Sequence, residues 1–600
     1  MTKKVFALDT QPGIQRDGTN FDKNFYNDGR WVRFQRGRPR KVLGYRQIVD
    51  NLAGISRGIY VNVQNAFNYV FNGYSDGLQV LPITNSGVGS GITNLTLADF
   101  TPNANNLWQF DTFYDTTGAG AEQLIAHPGQ NLSDIASTVN TPVLIGNVSG
   151  TSMSAMMDGA NPISVSGGAV VLHPYVFVYG NYGLIKNCAA GDPTNWTSAD
   201  SNETNVAGSK IVQGLPVRGG SNSPSGLFWS LDSLIRVSYT PTTITVGGTS
   251  QTFYWRYDII SSQSSILSSQ SVIEYDGIYY WCGVDRFLMY NGVVKEIANN
   301  MNQNYFFDNL NYAQRQKVYV TKVPRYGEIW WFYPRGNSLE CNDVIIYNVR
   351  EQTWYDAGQA LGARRSAGYF SQVFHYPINA SNEINAVGGV NAFSITGGSS
   401  YTNGTYTNVS LTGGTGSGAK ATITVSGNAV TAVTITANGI NYTVGDVLTG
   451  TVAGGSGFHI TLTSLMNFVS LWQHEFGTDE IKGVQINAIE SYFETNDLGW
   501  VSGGPSQPNM VGDNAWIHLE RLEPDFIQNG TMSLYVTGRP FAQSDDYTTG
   551  PYNFEPNANK IDLREQRREM RLKFVSNVSS GDYQLGKLLL NANVGDVRGY

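Results

Sequence analysis

The residues able to do acid–base or metal chemistry are few and poorly grouped in this chain. Six histidines are present, and none is spaced from another as metal ligands would be. His474-Glu475 has no second histidine four residues after the first, so the helical zinc-protease motif is absent. Glu520, Glu523 and Asp525 could act as acid and base in a glycosidase, but their closeness beside a proline predicts a solvated turn. The sequence therefore predicts no catalysis, no metal and no cofactor.

Two glycine motifs and the cysteines give equally weak signals. The run Gly413–Gly418 lacks the lysine of a phosphate-binding loop. Residues 54–58 match the letters of a nucleophile elbow, but no strong strand precedes them and no helix follows. Cys188, Cys282 and Cys341 are scattered without a CxxC, which fits a reducing compartment better than a disulfide framework.

Composition fits either a large β protein or a β protein with much of its surface against other subunits, and does not separate the two. The chain has 600 residues, of which 41% are hydrophobic, 12% aromatic and only 14% charged. Interfaces favour tyrosine and tryptophan and disfavour lysine and glutamate. The net charge of −8 argues against tight binding to nucleic acid, although DNA could slide past such a surface. The start has no apolar signal core and no window suits a spanning helix, so we expect synthesis in a cytosol and no membrane-spanning segment.

One basic run, free of acids from Trp31 to Val49, is the best candidate for a contact site. It could touch DNA phosphates, dock on an acidic partner or be a solvated loop. Interleaved aromatics favour docking, as in interface cores. The predicted docking residues are Arg30, Trp31, Arg33, Phe34, Arg36, Arg38, Arg40 and Lys41. A second basic cluster, at 564–573, alternates with acids and predicts salt-bridged strand faces.

Strand pairs recur along the first two thirds of the chain. Apolar and aromatic runs separated by Gly, Asn or Asp turns begin roughly every 40–60 residues, the spacing of propeller blades. Residues 343–348 suit an inner blade strand, and Trp354 suits a side chain packed between blades. The sequence predicts an all-β, irregular β-propeller with one short helix at 302–317; a pair of β-sandwiches is the alternative.

A segment from 390 to 464 differs from its surroundings. It is rich in Gly, Thr and Ser, with only Lys420 and Asp446 charged, and it repeats itself after about 41 residues: Tyr401 matches Tyr442. Strict alternation at 421–425 and 433–436 puts aliphatic residues on one face, which a flexible linker would not show. We predict a small pseudo-duplicated β domain inserted between neighbouring ends near Gly389 and Leu465.

The expected organisation has four parts. Residues 1–50 form an N-terminal docking segment of a platform, 51–389 the propeller, 390–464 the insert, and 465–600 a return to the propeller and a C-terminal β platform. Strand-like runs after the insert lie at 483–493, 532–536, 570–575 and 583–591. The chain ends are thus expected to build the platform.

Three stretches resemble the tail nozzle proteins, or packaged-DNA stabilisation proteins, of short-tailed bacteriophages. They are SVIEYDGIYYWCGVDRFLMYNGVVKEI (271–297), GTNFDKNFYNDGRWVRFQRGRPRKVLGYR (18–46) and KIDLREQRREMRLKFVSNVSSGDYQLGKLLLNANVGDVR (560–598). The resemblance covers most of 1–390 and 466–600 and lies in the order of the motifs. The insert departs from this pattern and resembles Gly/Thr-rich modules of phages that infect cyanobacteria.

The resemblance implies a homo-oligomeric ring, a hexamer, below the portal and adaptor rings of a virion tail. Such a ring extends the channel for double-stranded DNA without sequence-specific binding, retains the packaged genome, serves its ejection and carries tail fibres. It would be made in the host bacterial cytoplasm. Two alternatives remain open: a receptor-binding adhesin that holds a host glycan on tyrosine and tryptophan faces, and a tail-associated polysaccharide depolymerase.

Overall fold

The fold is known from a computed structural model that describes most of the chain. The described residues are 4–8, 10–19, 23–64, 67–84, 89, 91–97, 100–103, 107–115, 122–129, 140–149, 152–217, 223–246, 249–372, 374, 376–499, 515–541 and 543–597. Strands dominate these residues, as their β-branched and aromatic runs predict. The predicted helix at 302–317 consists of an α-helix, Gln303–Asn309, and a 3-10 helix, Tyr312–Lys317.

Six four-stranded antiparallel sheets follow one another along the chain, and we call them blades 1 to 6. Their first strands surround one central channel. In chain order, from the channel outward, the strands are Ser56–Gln64, Phe67–Tyr74, Gly77–Ile83 and Thr93–Asn94 (blade 1); Gln109–Tyr114, Glu122–His127, Leu144–Asn147 and Ser154–Ala155 (blade 2); Gly168–Leu172, Tyr175–Tyr179, Leu184–Asn187 and Asn202–Asn205 (blade 3); Ile211–Pro216, Ser225–Ser230, Leu234–Val246 and Thr249–Ser261 (blade 4); Val272–Tyr275, Ile278–Cys282, Phe287–Tyr290 and Val294–Glu296 (blade 5); Tyr319–Val323, Glu328–Tyr333, Asp343–Asn348 and Thr353–Asp356 (blade 6).

Blade 7 closes the ring with strands from distant parts of the chain. Its order from the channel outward is Arg365–Ser371, Tyr376–Thr396, His459–His474 and Tyr45–Ala53. The last strand precedes blade 1 in sequence and pairs His474 with Tyr45. Residues 45–50 therefore belong to the propeller sheet. The ring is closed by pairing a strand that precedes blade 1 in sequence with a strand that follows blade 6.

The predicted all-β propeller is confirmed, with one local correction. The strand Asp343–Asn348 is the third strand of blade 6, not its inner strand. Its position in the sheet depends on the preceding strand pair, at 319–333. The local sequence pattern does not show which strand of a blade lies nearest the channel. Trp354 does pack between blades: its ring lies 4.7 Å from that of Phe287 in blade 5.

The platform consists of two sheets made from both chain ends. One contains Lys4–Leu8, Val32–Gln35, Arg38–Lys41, Ala515–Asn529, Ile561–Arg567 and Asp582–Val597; the other contains Asp28–Arg30, Ser491–Glu494, Leu498–Gly499, Met532–Arg539, Tyr547–Phe554 and Glu569–Ser576. Their buried side chains include Leu522, Leu534 and Phe574 and continue into Trp330 and Phe332 of blade 6. Platform and propeller thus share one core.

The remaining elements are short. The predicted strand at 483–493 is interrupted, because Gln485–Asn487 pairs with Glu480–Lys482 while Ser491–Glu494 belongs to the platform. The other short elements are Gln11–Ile14 with Phe25–Tyr26, Thr141–Pro142 with Ser164–Val165, Met157–Asp158 with Asn161–Pro162, and the 3-10 turns Asn181–Gly183 and Leu361–Ala363.

The insert is a separate small β unit that extends blade 7. Its strands Gly404–Thr412, Ser417–Ser426, Ala429–Ile440 and Val447–Gly450 pack with the far ends of two blade 7 strands. Val390 and Leu465 are register partners, so the insert begins and ends at adjacent points. Its two halves make the same contact: Tyr401 Oη accepts from Phe458 N (3.0 Å), and Tyr442 Oη accepts from Ala419 N (3.4 Å).

Within the described part of the chain, no helix has the length and apolar character needed to cross a bilayer.

Candidate functional site: the propeller channel and its surroundings

The predicted docking residues divide into a buried and a surface group. Trp31, Arg33, Phe34 and Lys41 are buried within the chain itself. Trp31 packs so closely on Gly362 that a Cβ there would lie 2.2 Å from the indole. At the surface are Arg30, Arg36, Arg38 and Arg40, of which Arg36 is exposed and the others half-buried. The buried four are occupied by contacts inside the subunit, so a docking role stays a prediction for the surface four alone.

Arg33 is the centre of a buried ion cluster that joins three regions. Its guanidinium donates to Glu475 at 2.6 and 2.7 Å and to Glu328 at 3.0 Å, and it lies 3.8 Å from the Tyr326 ring centre. Tyr355 Oη donates to Glu328 at 2.7 Å. Burial raises the pKa of Glu328 although Arg33 opposes the shift. The cluster fixes the N-terminal segment to blade 6 and to the chain just after blade 7.

The second basic cluster forms salt-bridged strand faces, as the alternating charges predict. Arg571 Nε lies 3.1 Å from Glu494 and 3.7 Å from Asp497, and its other end contacts Asp546. Arg539 lies 3.1 Å from Asp497. These contacts join neighbouring strands of the second platform sheet and the turns beside them.

The carboxylates considered for a glycosidase are not in a turn. Glu520, Glu523 and Asp525 lie in the long platform strand Ala515–Asn529, where the pairing partner Asp582–Val597 overrides the local turn signal. Glu520 accepts from Asn593 at 2.8 Å, Glu523 from Asn591 at 3.0 Å. The predicted turn is wrong, and the three groups are cross-strand hydrogen-bond partners.

The glycine run of the insert holds a carboxylate instead of a phosphate. Asp446 accepts from the backbone N–H and hydroxyl of Thr415 at 2.9 and 2.7 Å, and from Thr443 N at 2.9 Å. Hydrogen bonds to Thr443 and Thr415 lower the pKa of Asp446 to about 2. Because a carboxylate already receives the loop's donors, the loop is a structural turn.

The propeller channel is a concave site on the axis of the blades. It has a volume of about 540 Å³ and is lined by the inner strands of all seven blades. Volumes of this size are typical of small-molecule sites and far too small for a DNA duplex.

Glutamines close the channel at the end where the inner strands begin. Gln270 Nε2 donates across the channel to the carbonyls of Arg57 (2.6 Å) and Trp108 (3.0 Å). Gln109 Nε2 donates to Val212 O at 2.8 Å and Gly167 O at 3.3 Å. The acceptors are backbone oxygens at the inner edges of the blades, where these strands have no further strand to pair with. The channel is therefore a dead-end pocket.

An aromatic wall lines one side of the channel. The Tyr60 ring of blade 1 lies 5.1 Å from that of Tyr369 in blade 7 and 6.2 Å, nearly parallel, from that of Phe110 in blade 2. All three side chains are half-buried. Burial raises the pKa of Tyr60 above its ordinary value, so its hydroxyl stays protonated.

Polar groups also line the channel, on blades 2, 5, 6 and 7. Lys322 Nζ donates to Glu274 O at 2.6 Å and lies 3.6 Å from the Glu274 carboxylate. Asp111 accepts from Val171 N at 2.8 Å, and Gln372 is exposed at the end of its strand. The charged residues of the channel lining, Asp111, Glu274 and Lys322, are thus held by contacts within the subunit.

Sequence reasoning missed the channel residues. Tyr60 and Phe110 lie in predicted hairpins, yet nothing in their local pattern marks them as inner-strand residues or brings them to Tyr369, some 260–310 positions later. Among the described residues, no group of three His, Cys, Asp or Glu side chains is placed to hold a metal. Cys188, Cys282 and Cys341 are buried free thiols.

Comparisons with known proteins give little further information. No known family profile matches the chain, and no curated protein matches it. Among solved structures, it is similar to a quinonprotein alcohol dehydrogenase-like protein from Bacteroides thetaiotaomicron, with 9% identity, a TM-score of 0.29, and coverage of 51% of this chain and 68% of that one. A likeness at that TM-score carries no argument about function.

Proposed function

We propose that this chain is a structural subunit of the tail nozzle of a short-tailed bacteriophage, and that six copies form a ring around the DNA channel. The order of the three sequence stretches that resemble nozzle proteins suggests the family. The ring is placed below the portal and adaptor rings, where it retains packaged DNA and serves as the conduit for ejection.

The main observation in support of assembly into a ring is a projecting, uncharged hairpin. The last two strands of blade 4, Leu234–Val246 and Thr249–Ser261, extend well beyond the blade, and no charged residue occurs from 237 to 255. Ile244 is 50% exposed and Phe253 48% exposed. Free strand edges usually carry charges that block pairing with other chains. An uncharged ribbon of this length, with Pro241 as its one proline and two half-exposed apolar side chains, supports burial against a neighbour.

A second hairpin supports the same conclusion. Glu480–Lys482 and Gln485–Asn487 form a short hairpin whose tip residue, Val484, is 98% exposed, and Ile486 is also largely exposed. Exposed apolar residues on two separate hairpins, one in blade 4 and one paired with the outer strand of blade 7, suit a heterologous contact between copies, which can close into a ring. In this proposal the hairpin tips that reach the ring axis form the gate.

The channel and the charge are consistent with a passive conduit. The propeller's own channel is closed by Gln270, so the DNA passage in this proposal is the lumen between subunits. Each chain carries a net charge of −8, so repulsion keeps the duplex from adhering to the wall.

The direct test is an electron-microscopy reconstruction of the tail of an intact particle. We expect six copies around a lumen that holds the end of the genome, with a constriction narrower than the duplex. Three copies, the absence of a lumen, or a lumen lined mainly by Lys and Arg would overturn the proposal.

A hairpin variant tests the observation itself. Replacing 242–252 by an Asn-Gly turn should leave a soluble, folded subunit that no longer assembles, because the ribbon lies outside the blade. Arg256→Ser is the matched control, since Arg256 is an exposed residue at the base of the same hairpin, paired only with its near neighbour Asp258. Normal assembly of the shortened variant would contradict the role of the ribbon.

A further inference from the structure

We propose that a cluster of arginines at one end of blade 6 is a contact site for the phosphate groups of double-stranded DNA. We call the cluster the arginine patch. Its members are Arg36, Arg325 and Arg350, which are exposed, and Arg38 and Arg40, which are half-buried. The contact rests on the proposed function in one respect, since duplex DNA is the polyanion that the proposed ring surrounds. Every residue of the patch belongs to one subunit, so the contact can be tested without the ring.

The hairpin at 32–41 brings three arginines to the turns of blade 6. Its tip meets the turn between the two outer strands of the blade at Glu351. The Glu351 carboxylate accepts hydrogen bonds from Arg36 N at 2.8 Å and from Gly37 N at 3.0 Å. These bonds fix the hairpin tip beside the turn that carries Arg350.

The turn between the two inner strands of blade 6 completes the patch. The guanidinium carbons of Arg40 and Arg325 lie 5.9 and 5.3 Å from the centre of the same Tyr326 ring. Arg350 Nη1 donates to Arg325 O at 2.9 Å. Arg38 and Arg40 lie two residues apart in one strand and therefore on one face. The arginines of the three segments thus share one region of the surface.

The charge of the patch is not neutralised within the subunit. Arg350 Nη2 donates to Pro324 O at 2.8 Å, and Arg40 Nη1 donates to the Gln35 amide oxygen at 2.9 Å. Such oxygens orient a guanidinium but carry no net charge. Among the described residues, no carboxylate forms an ion pair with any member of the patch. The positive charge is therefore available to an anion from outside.

The cations also outnumber the acids in this region. Glu351 is the only acid in the three segments that carry the patch. The adjacent turn of blade 5, where the Tyr275 hydroxyl accepts from Arg350 at 3.3 Å, adds Glu274 and Asp276, and Glu274 lies 3.6 Å from Lys322. Six cations thus stand against three carboxylates. This local excess attracts a polyanion while the net charge of −8 opposes it, so we expect weak, salt-sensitive binding.

The patch lacks the apolar anchors of a protein interface. The aromatic side chains of the segment, Trp31 and Phe34, are buried inside the subunit, and so is Tyr326. Val349, the apolar residue of the outer turn, is half-buried. Protein interfaces depend on aromatic and aliphatic anchors, whereas contacts to a DNA backbone are polar and strongly positive. Because arginine also forms paired hydrogen bonds to phosphate oxygens, a DNA backbone fits the patch better than a protein face does.

The experiment titrates the full-length protein with a fluorescent DNA duplex of mixed sequence and follows anisotropy over a range of salt concentrations. Contacts to about three to five phosphates predict a loss of affinity of about 40- to 500-fold between about 50 and 200 mM salt. Absence of binding at the lowest salt would overturn the proposal. Polyglutamate of equal charge is the competing probe, and its binding as tightly as the duplex would assign the patch to an acidic protein partner instead.

A double variant locates the binding to the patch. Arg36→Gln with Arg325→Gln should lower the affinity at least about tenfold at low salt and reduce the slope of log affinity against log salt by about 2. The matched control is Arg236→Gln with Arg256→Gln, which removes the same charge from two exposed arginines of blade 4 and should change the affinity less than about threefold. Equal losses in the two proteins would show that net charge alone acts and would sink the assignment.

A single variant covers the case in which the double variant fails to fold. Arg325 is exposed on a turn, so Arg325→Gln should leave the fold intact and reduce the salt slope by about 1. An unaltered slope would contradict the proposed site. DNA binding is measured on the subunit, whereas copy number and lumen are measured on intact particles, so failure of one leaves the other standing.

Discussion

The insert at 390–464 and the platform are both made of β-strands, but their cores contain different groups. The insert buries small and aliphatic side chains such as Ala419, Ala421 and Ile423, closed by Tyr401 and Tyr442. The platform buries charges as well, and those within or beside its sheets include Arg33, Lys41, Glu494, Glu569 and Arg571. An apolar core tolerates local variation, whereas a core with ions depends on every partner being present.

The two regions also differ in how far apart their contacts lie in sequence. Strands of the insert pair with neighbours a few residues away, as Ser417–Ser426 does with Ala429–Ile440. In the platform Lys4 pairs with Ala592, and Arg33 bonds Glu475 across 442 positions. Loop closure opposes such long-range contacts, so the platform is expected to form late and only when both chain ends are present. One all-β chain thus combines an insert stabilised by contacts between sequence neighbours with a platform stabilised by contacts between its two ends.

The largest effect should come from Arg33→Ala. This change leaves Glu328 and Glu475 buried without their cation, which typically costs about 3–5 kcal/mol of the free energy of unfolding. Urea unfolding followed by tryptophan fluorescence measures it. Arg364→Ala is the control, because its pair with Glu383 is exposed and should be worth under about 1 kcal/mol. Similar losses for the two variants would contradict the role of the buried cluster.

A smaller, pH-dependent effect should come from Glu569 in the platform. Burial, reinforced by Asp497, raises the pKa of Glu569 to about 7. Since its folded pKa lies above the unfolded value, the protonated form stabilises the fold, and this contribution is lost as pH rises from about 4.5 through 7. Glu569→Gln should flatten the decline of the melting temperature over that window. Part of the decline in melting temperature should remain in this variant, because burial also raises the pKa of Asp343 to about 7.

The pseudo-duplication of the insert predicts two matched, modest effects. Tyr401→Phe and Tyr442→Phe each remove the acceptor of one buried backbone N–H, at a cost of about 1–2 kcal/mol. Hydrogen exchange of the insert amides in the full-length protein measures both. Similar increases in exchange, confined to the insert, would show that its two halves are equivalent and independent of the platform. An increase that spreads into the platform would contradict that independence.

The smallest effect on the rest of the molecule should come from removing the insert. Deleting 391–464 and joining the ends through a short Gly/Ser bridge should leave the melting temperature of the core nearly unchanged, because Val390 and Leu465 are already paired neighbours. Deleting blade 5, residues 272–296, is the control and should abolish the soluble fold. Loss of soluble expression on removing the insert would show that it belongs to the core.

The local pattern of the sequence determined the strands, most hairpins, the short helix and the insert. Alternation at 421–425 places Ala421, Ile423 and Val425 on one buried face, and the match of Tyr401 with Tyr442 predicted two equivalent halves. These features could be predicted because side-chain alternation and turn residues act over a few positions. The sequence also indicated the basic, aromatic segment at 30–46 as a candidate contact site. Only its surface residues are still candidates for docking.

Contacts between distant segments determine which strand closes the ring, which ions are buried and where the channel lies. Tyr45–Ala53 completes blade 7 through a partner more than 400 residues later, and Arg33 is neutralised by Glu328 and Glu475 instead of facing a partner. The channel wall unites Tyr60, Phe110 and Tyr369 from three blades. In each case the outcome depends on the free energy of contacts between distant segments, which exist only after the sheets have packed around their common axis.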